Sequence, residues 1–440
     1  MPRSRSEQYR HQQHRKRKRL RQLLLLNSVL FVLVLLLGMF IWQHRDTIIQ
    51  PRAHPPSAQV PEPGPDMEAP AGSGGDQSDP DAGDGKTEAP DDDAAEEEPD
   101  HASPEEAGTH EPDIPQDQEP LLPEADEEEV LLSFVGDILL AGSVEKLMRQ
   151  HGWDYPYANV LSYLADADLS AGNLENPITL RGTPAEDKQY VFKGSPDSLP
   201  FLREAGIDIV GLANNHTLDM GVVGLMDTMD HLDQAGIPHV GAGANDTAAF
   251  APVILESRGI KVAYLSFSRV VPVVEWKAER NRAGVAETYD PARAVAAIKA
   301  AKEQADLVMV MVHWGKERVD HPLDYQREMA RAYIDAGADL IIGSHPHVLQ
   351  GFEQYKGKWI AYSLGNFIFN MTATPATADT GVLDARCTRD GECRLKLHPM
   401  RQVQSQPTPL AGADAAALLQ RISALCYDAV IDKDGNIIAQ

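Results

Sequence analysis

Cysteine is scarce in this chain of 440 residues: there are three, Cys387, Cys393 and Cys426, all near its end. So few, placed so late, exclude a disulfide-built scaffold. In VLDARCTRDGECRLKL an Asp-Gly turn lies between two strand-like runs, so Cys387 and Cys393 can face each other across a hairpin and pair in an oxidising compartment. Zinc binding by this pair has little support, since no further Cys or His sits at ligand spacing nearby. Internal repeats of about 20 to 50 residues are absent, which excludes a solenoid. From residue 130 onward no basic stripe and no nucleic-acid motif appears, which argues against DNA or RNA as a partner.

Charge of one sign is missing from whole segments. Residues 1–50 hold 10 Lys/Arg and 2 acids, whereas residues 51–129 hold 26 Asp/Glu and 2 basic residues. Much of the net charge of −26 therefore sits in one segment. That segment, rich in Pro, Gly, Ala, Asp and Glu with almost no aromatic or β-branched residues, cannot bury enough apolar surface to offset ordering entropy; residues 43–129 read as a disordered acidic linker. One long uncharged run exists, Leu23 to Trp42, and its roughly twenty residues match a bilayer-spanning helix. The apolar region of a cleaved signal peptide is shorter and ends at a small-residue site, whereas GMFIWQHRD follows here, so 23–42 reads as an uncleaved anchor. Arg15 to Arg19 with Arg21 place the segment 1–22 in the cytoplasm and all that follows residue 43 outside the cell membrane.

From residue 130 short apolar runs alternate with helical stretches, an α/β pattern. Strands are expected at 130–136, 207–213, 261–267, 306–312 and 339–344, helices at 196–205, 221–235, 290–303 and 322–336, and hairpins within 348–369 and 381–400. Polar residues gather where the strands end: Asp137, then Asn173 and Glu175, then Asn214, Asn215 and His216, then His313, then His345 and His347. In open α/β sheets ligands bind at the carboxyl ends of strands. Residues two apart in an extended segment share a side, so His345 and His347 can converge. Mixed imidazole, carboxylate and amide oxygen suits Mn, Fe or Zn rather than calcium, and six candidate ligands (Asp137, Glu175, Asn215, His313, His345, His347) exceed what one tetrahedral ion needs. A site for two divalent transition ions is expected. His216 beside Asn215 is a candidate general acid. Several readings stay open: Asp219 orients His216 or caps a helix, Asn366 supports the site or makes a turn, Glu317 meets substrate or is solvated, and Trp314 lines the pocket or fills the core.

GNLENPIT, ANNHTLDMG, VHWGKE, GSHPHVLQG and YSLGNFIF, in this order after an opening Gly-Asp, resemble the CapA family of capsule and poly-γ-glutamate synthesis proteins, over about residues 130–370. That family is similar to the calcineurin-like metallophosphoesterases. The resemblance implies a four-layer αββα sandwich over 130–370, with 371–440 adding hairpins and a helix that complete the domain. It implies Asp137 and His347 on a first metal, Glu175 bridging, and Asn215, His313 and His345 on a second. It makes His216 the proton donor, with Asn173, Asp219 and Asn366 behind the ligands. Two departures stand out: the usual Asp-x-His opening is Asp137-Ile138-Leu139, and a glutamate, Glu175, replaces the bridging aspartate. A one-metal site is therefore an alternative.

Two classes of function follow. One is an anchored, outward-facing hydrolase or transferase acting on a phosphoester or on an amide-linked anionic polymer. The other is a non-catalytic component of a polymer synthesis and export complex, working with other membrane proteins and using the same pocket to hold a γ-glutamyl chain or a structural metal. His216 favours the first and Leu139 the second.

Overall fold

The computed structural model describes residues 129–370 and 374–440. The expected basic segment, membrane span and nearly all of the acidic linker lie outside the described residues. In chain order the strands are β1 (Glu129–Ile138), β2 (Leu169–Leu174), β3 (Ile209–Gly211), β4 (His239–Val240), β5 (Ala242–Gly243), β6 (Val253–Ser257), β7 (Ile260–Ser268), β8 (Gly284–Val285) and β9 (Leu307–His313). There follow β10 (Leu340–Ser344), β11 (Phe352–Tyr355), β12 (Lys358–Ala361), β13 (Asn366–Ile368), β14 (Asp379–Thr388), β15 (Cys393–Val403), β16 (Gln406–Pro409), β17 (Ala429–Ile431) and β18 (Asn436–Ala439).

β5 and β8 form a separate two-stranded sheet; of the two large sheets, one runs β17-β18-β15-β14-β1-β2-β3-β4, with β13 also on β1 and β16 on β15, and the other runs β11-β12-β10-β9-β7-β6. Their apolar faces meet. Leu132 and Phe134 of β1 pack in one core with Tyr264 of β7, Met309 and Met311 of β9, and Leu340 and Ile342 of β10. Helices cover the outer faces. Gly142–His151 and Gly221–Ala235 bury Val144, Met148, Leu225 and Leu232 with Val135, Val210 and Leu212. Ala292–Lys302 and Asp324–Asp335 bury Ile298 and Tyr333 with Val308, Val310 and Ile341. The order helix, sheet, sheet, helix is why β9, LVMVMVH, has no alternation: it is covered on both faces.

Strands β1, β2, β3 and β4 are parallel, as are β7, β9, β10 and β12. Their carboxyl ends therefore share an edge in each sheet. Register does the rest: Asp137 stands opposite both Asn173 and Asn366, and His313 opposite Ser344. Two glycines permit the close approach this needs. A Cβ on Gly136 would lie 1.9 Å from the carbonyl oxygen of Gly365, and one on Gly343 1.9 Å from that of Tyr362.

Residues 348–369 depart from the expected hairpins. Only β11 and β12 pair antiparallel; β12 lies parallel to β10, and β13 crosses to the other sheet, parallel to β1. The apolar residues of this run serve two sheets: Phe352 and Ala361 enter the core between them, while Phe367 and Ile368 pack beneath the helices on the far face. Beyond it, β14 is antiparallel to β1.

Cys387 and Cys393 are cross-strand partners at the end of the β14–β15 ladder and form a disulfide. Replacing both with alanine opens a loop of sequence separation 6. A stability loss of about 2 kcal/mol is expected. The measurement is the urea midpoint of the oxidised wild type against the double variant, and an unchanged midpoint would show that the bond contributes no stability.

Candidate metal centre

The carboxyl ends of β1, β2 and β9, the segments that follow β2, β3 and β10, and the start of β13 bring Asp137, Asn173, Glu175, Asn215, His216, His313, His345, His347 and Asn366 into one buried cluster. Asn173 lies at its middle. Its side-chain amide donates to Asp137 Oδ1 at 2.8 Å and Glu175 Oε2 at 3.2 Å. His313 Nε2 is 2.8 Å from Asn215 Oδ1, and its Nδ1 is 3.0 Å from Ser344 Oγ. His347 Nδ1 is 2.8 Å from Asn366 Oδ1 and 3.3 Å from Asp137 Oδ2, while its Nε2 is 3.7 Å from Glu175 Oε1. The His345 ring lies between its neighbours, 4.7 Å from that of His313 and 5.9 Å from that of His347.

Ligand atoms fall into two groups, each within 4.8 Å mutually: Asp137, Glu175 and His313, all buried, and Glu317, His345 and His347, with Glu317 exposed. The two histidines converge for another reason than extended backbone. His345 and His347 have φ of 93° and 58°, so the segment is a left-handed turn held over the ends of β9 and β10. Such strained φ at non-glycine residues clusters at functional sites.

The family profile described as "Bacterial capsule synthesis protein PGA_cap" matches residues 131–371, a span that holds every residue of this cluster. The chain belongs to this capsule synthesis family. It is 36% identical over 280 residues to the PGA biosynthesis protein CapA of Bacillus subtilis, covering 63% of this chain and 73% of that protein. It is 33% identical over 293 residues to the capsule biosynthesis protein CapA of Bacillus anthracis, covering 65% and 71%. A probable polyglutamine synthesis accessory protein of Mycobacterium tuberculosis is 34% identical over 228 residues, covering 49% and 60%. Among solved structures, the NAD nucleotidase of Haemophilus influenzae aligns with 68% of this chain and 63% of its own at 13% identity and a TM-score of 0.37, too slight a likeness to carry an argument.

In this family member, the residues of the cluster fit a cation. Glu175 Oε1 and His345 Nδ1 are buried and have no hydrogen-bond partner among the described residues. Buried polar atoms are ordinarily paired, so each orphan needs an explanation. Burial, then the adjacent Asp137 charge, pushes the Glu175 carboxyl well above its ordinary range. Asp137 is held low: burial opposes this, but the hydrogen bond and charge of His347 outweigh it. Two buried carboxylates at this distance cannot both ionise unless positive charge lies between them. Burial, with the other imidazoles, pushes His345 down to about 3 and His313 well down, so both present neutral lone pairs. Neutral imidazole and ionised carboxylate are the forms that bind metal.

Asp219 resolves toward the orienting role. Its Oδ2 is 2.7 Å from His216 Nδ1 and accepts from Phe192 N at 2.7 Å, while the following helix Gly221–Ala235 has no side-chain cap. Trp314 is core: fully buried, its indole N–H donates to the Tyr362 carbonyl. Lys188 escaped the sequence reading. Its ammonium pairs with Asp219, donates to the Asn215 carbonyl at 2.6 Å and packs 2.9 Å from His216 Nδ1. It sits in an irregular stretch with no periodicity, so nothing local marks it. Ser344 and Asn214 were likewise missed or left without a role. Asn214 accepts from the His216 backbone N–H and donates to Asn173 Oδ1, tying β3's loop to β2.

Glu175→Gln removes the cost of protonating a buried carboxyl in the metal-free protein and removes an anionic ligand from the loaded one. It is therefore expected to raise the Tm of the chelator-stripped protein near neutral pH. It is also expected to reduce the rise in Tm that Mn²⁺ gives the wild type. Thermal unfolding with and without metal reads both, and a Glu175→Gln protein that gains as much stability from Mn²⁺ as the wild type would contradict the assignment.

Proposed function

We propose that this chain is a membrane-anchored, outward-facing hydrolase or transferase of capsule or poly-γ-glutamate biosynthesis, working through a divalent-metal centre on a phosphoester or γ-glutamyl linkage of an anionic polymer. The observation that carries the reading is the buried ligand set with two orphaned atoms, standing beside a histidine held by a carboxylate. Likeness of its ordered motifs to the CapA family, which is similar to the calcineurin-like metallophosphoesterases, supports hydrolysis. Two relatives are named for capsule and PGA biosynthesis, which supports the polymer. The Cys387–Cys393 disulfide suits an oxidising exterior, as the expected anchor requires.

Asp137, Glu175, Asn215, His313, His345 and His347 would hold one or two ions of the Mn, Fe or Zn kind. A bound divalent ion supplies positive charge to a developing oxyanion and acidifies water at neutral pH. The protein's own part is positional. Asp219 takes the Nδ1 face of His216, which leaves Nε2 as the nitrogen that meets substrate. Burial lowers the His216 pKa, and Asp219 opposes that shift without overcoming it; an anionic substrate beside the ring would favour its protonated form. From Nε2 the proton passes to the leaving oxygen or nitrogen. Phe192, whose ring centroid lies 4.7 Å from that of His216, and Phe369, 4.8 Å from His347, exclude water from that side.

The second reading, a non-catalytic holder of polymer or metal within a membrane complex, draws on Leu139. Where the phosphoesterase pattern has a histidine, this leucine is buried against Ala141 and Phe369. The two readings separate on turnover. With the full-length chain loaded with Mn²⁺ and given a phosphodiester or poly-γ-glutamate, His216→Ala is expected to lower kcat by roughly 10²- to 10⁴-fold while leaving metal content unchanged. Equal rates in wild type and variant, or no turnover together with tight polymer binding, would favour the holder.

A further inference from the structure

We propose that Glu317 is a metal ligand, forming with His345 and His347 a cation site at the mouth of the pocket and standing in for the histidine that this chain lacks at position 139. The inference rests on the reading of the pocket as a metal centre and changes which residues hold the outer ion.

Backbone geometry puts Glu317 there. The loop after β9 is stitched to the loop after β10 at two points: Trp314 N donates to the Ser344 carbonyl at 3.1 Å, and Arg318 N to the Pro346 carbonyl at 2.7 Å. Gly315 and Arg318, at φ of 90° and 61°, turn the chain between those points. Glu317 is thereby carried over the turn that holds the two histidines. A carboxylate oxygen of Glu317 and a ring nitrogen of each histidine lie within 4.8 Å of one another. Ligands of one ion stand at most roughly 4 Å apart, twice a metal–nitrogen bond of about 2 Å. The three atoms thus lie close to the spacing that one shared ion requires.

The remaining atoms agree with this assignment. His347 Nδ1 is taken by Asn366 and Asp137, so Nε2 is the nitrogen left for a metal. A ligating histidine ordinarily has its other ring nitrogen fixed in this way. His345 Nδ1 is buried and without a partner among the described residues, and His345 is 6% exposed. On the β1 side Leu139 is packed with Ala141 and Phe369 and offers no ligand atom. Two buried imidazoles and one exposed carboxylate leave the solvent side open to an exchangeable ligand, as a substrate-binding metal requires.

The test uses Mn²⁺ alone, added to the chelator-stripped full-length chain and followed by calorimetric titration and metal counting after dialysis. Glu317→Gln is expected to weaken one bound ion by at least roughly tenfold, with any second ion and the metal-free Tm unchanged, and Glu317→Asp to recover part of the loss. His313→Ala is expected to weaken the other, inner ion. Unchanged Mn²⁺ affinity and count in Glu317→Gln would overturn the inference while leaving the metal centre standing. A wild type that binds no Mn²⁺ would overturn both.

Discussion

Everything in this site depends on two carboxylates, Asp137 and Glu175, buried side by side at the ends of neighbouring parallel strands. Like charges out of water cannot stay ionised together, and the protein supplies only part of the balance: an Asn173 amide shared between them and the Nδ1 of His347. The ligand set suits a divalent cation, whose charge would balance the two carboxylates.

The fold exists, in this respect, to hold that cage rigid. Parallel pairing in both sheets puts five strand ends at adjoining edges, and the shared core between the sheets fixes β1 against β9 and β10. Close glycine contacts at Gly136 and Gly343 let backbones approach to within hydrogen-bonding reach, so the loops they precede have little freedom. Small loop insertions could therefore move a ligand, whereas the strands could not.

Much of this was legible in the sequence. Strands covered on both faces show as unbroken apolar runs, and a polar residue at the end of such a run is conspicuous; Asp137, Glu175, Asn215 and His313 were found that way. His345 and His347 were found by an argument that does not hold, since their backbone is left-handed rather than extended, but the turn still brings both rings inward. What stayed hidden was set by tertiary contact alone. Lys188 reaches His216 and Asp219 from an irregular loop, and β12 and β13 part to different sheets within one apolar run. No local periodicity encodes any of these.

The most direct test of the central claim is anomalous X-ray diffraction at the manganese edge from crystals of the Mn²⁺-loaded chain. The account predicts a peak enclosed by Asp137, Glu175 and His313, with those side chains drawn onto it. A well-ordered pocket with no anomalous density, the carboxylates paired through a proton instead, would contradict it.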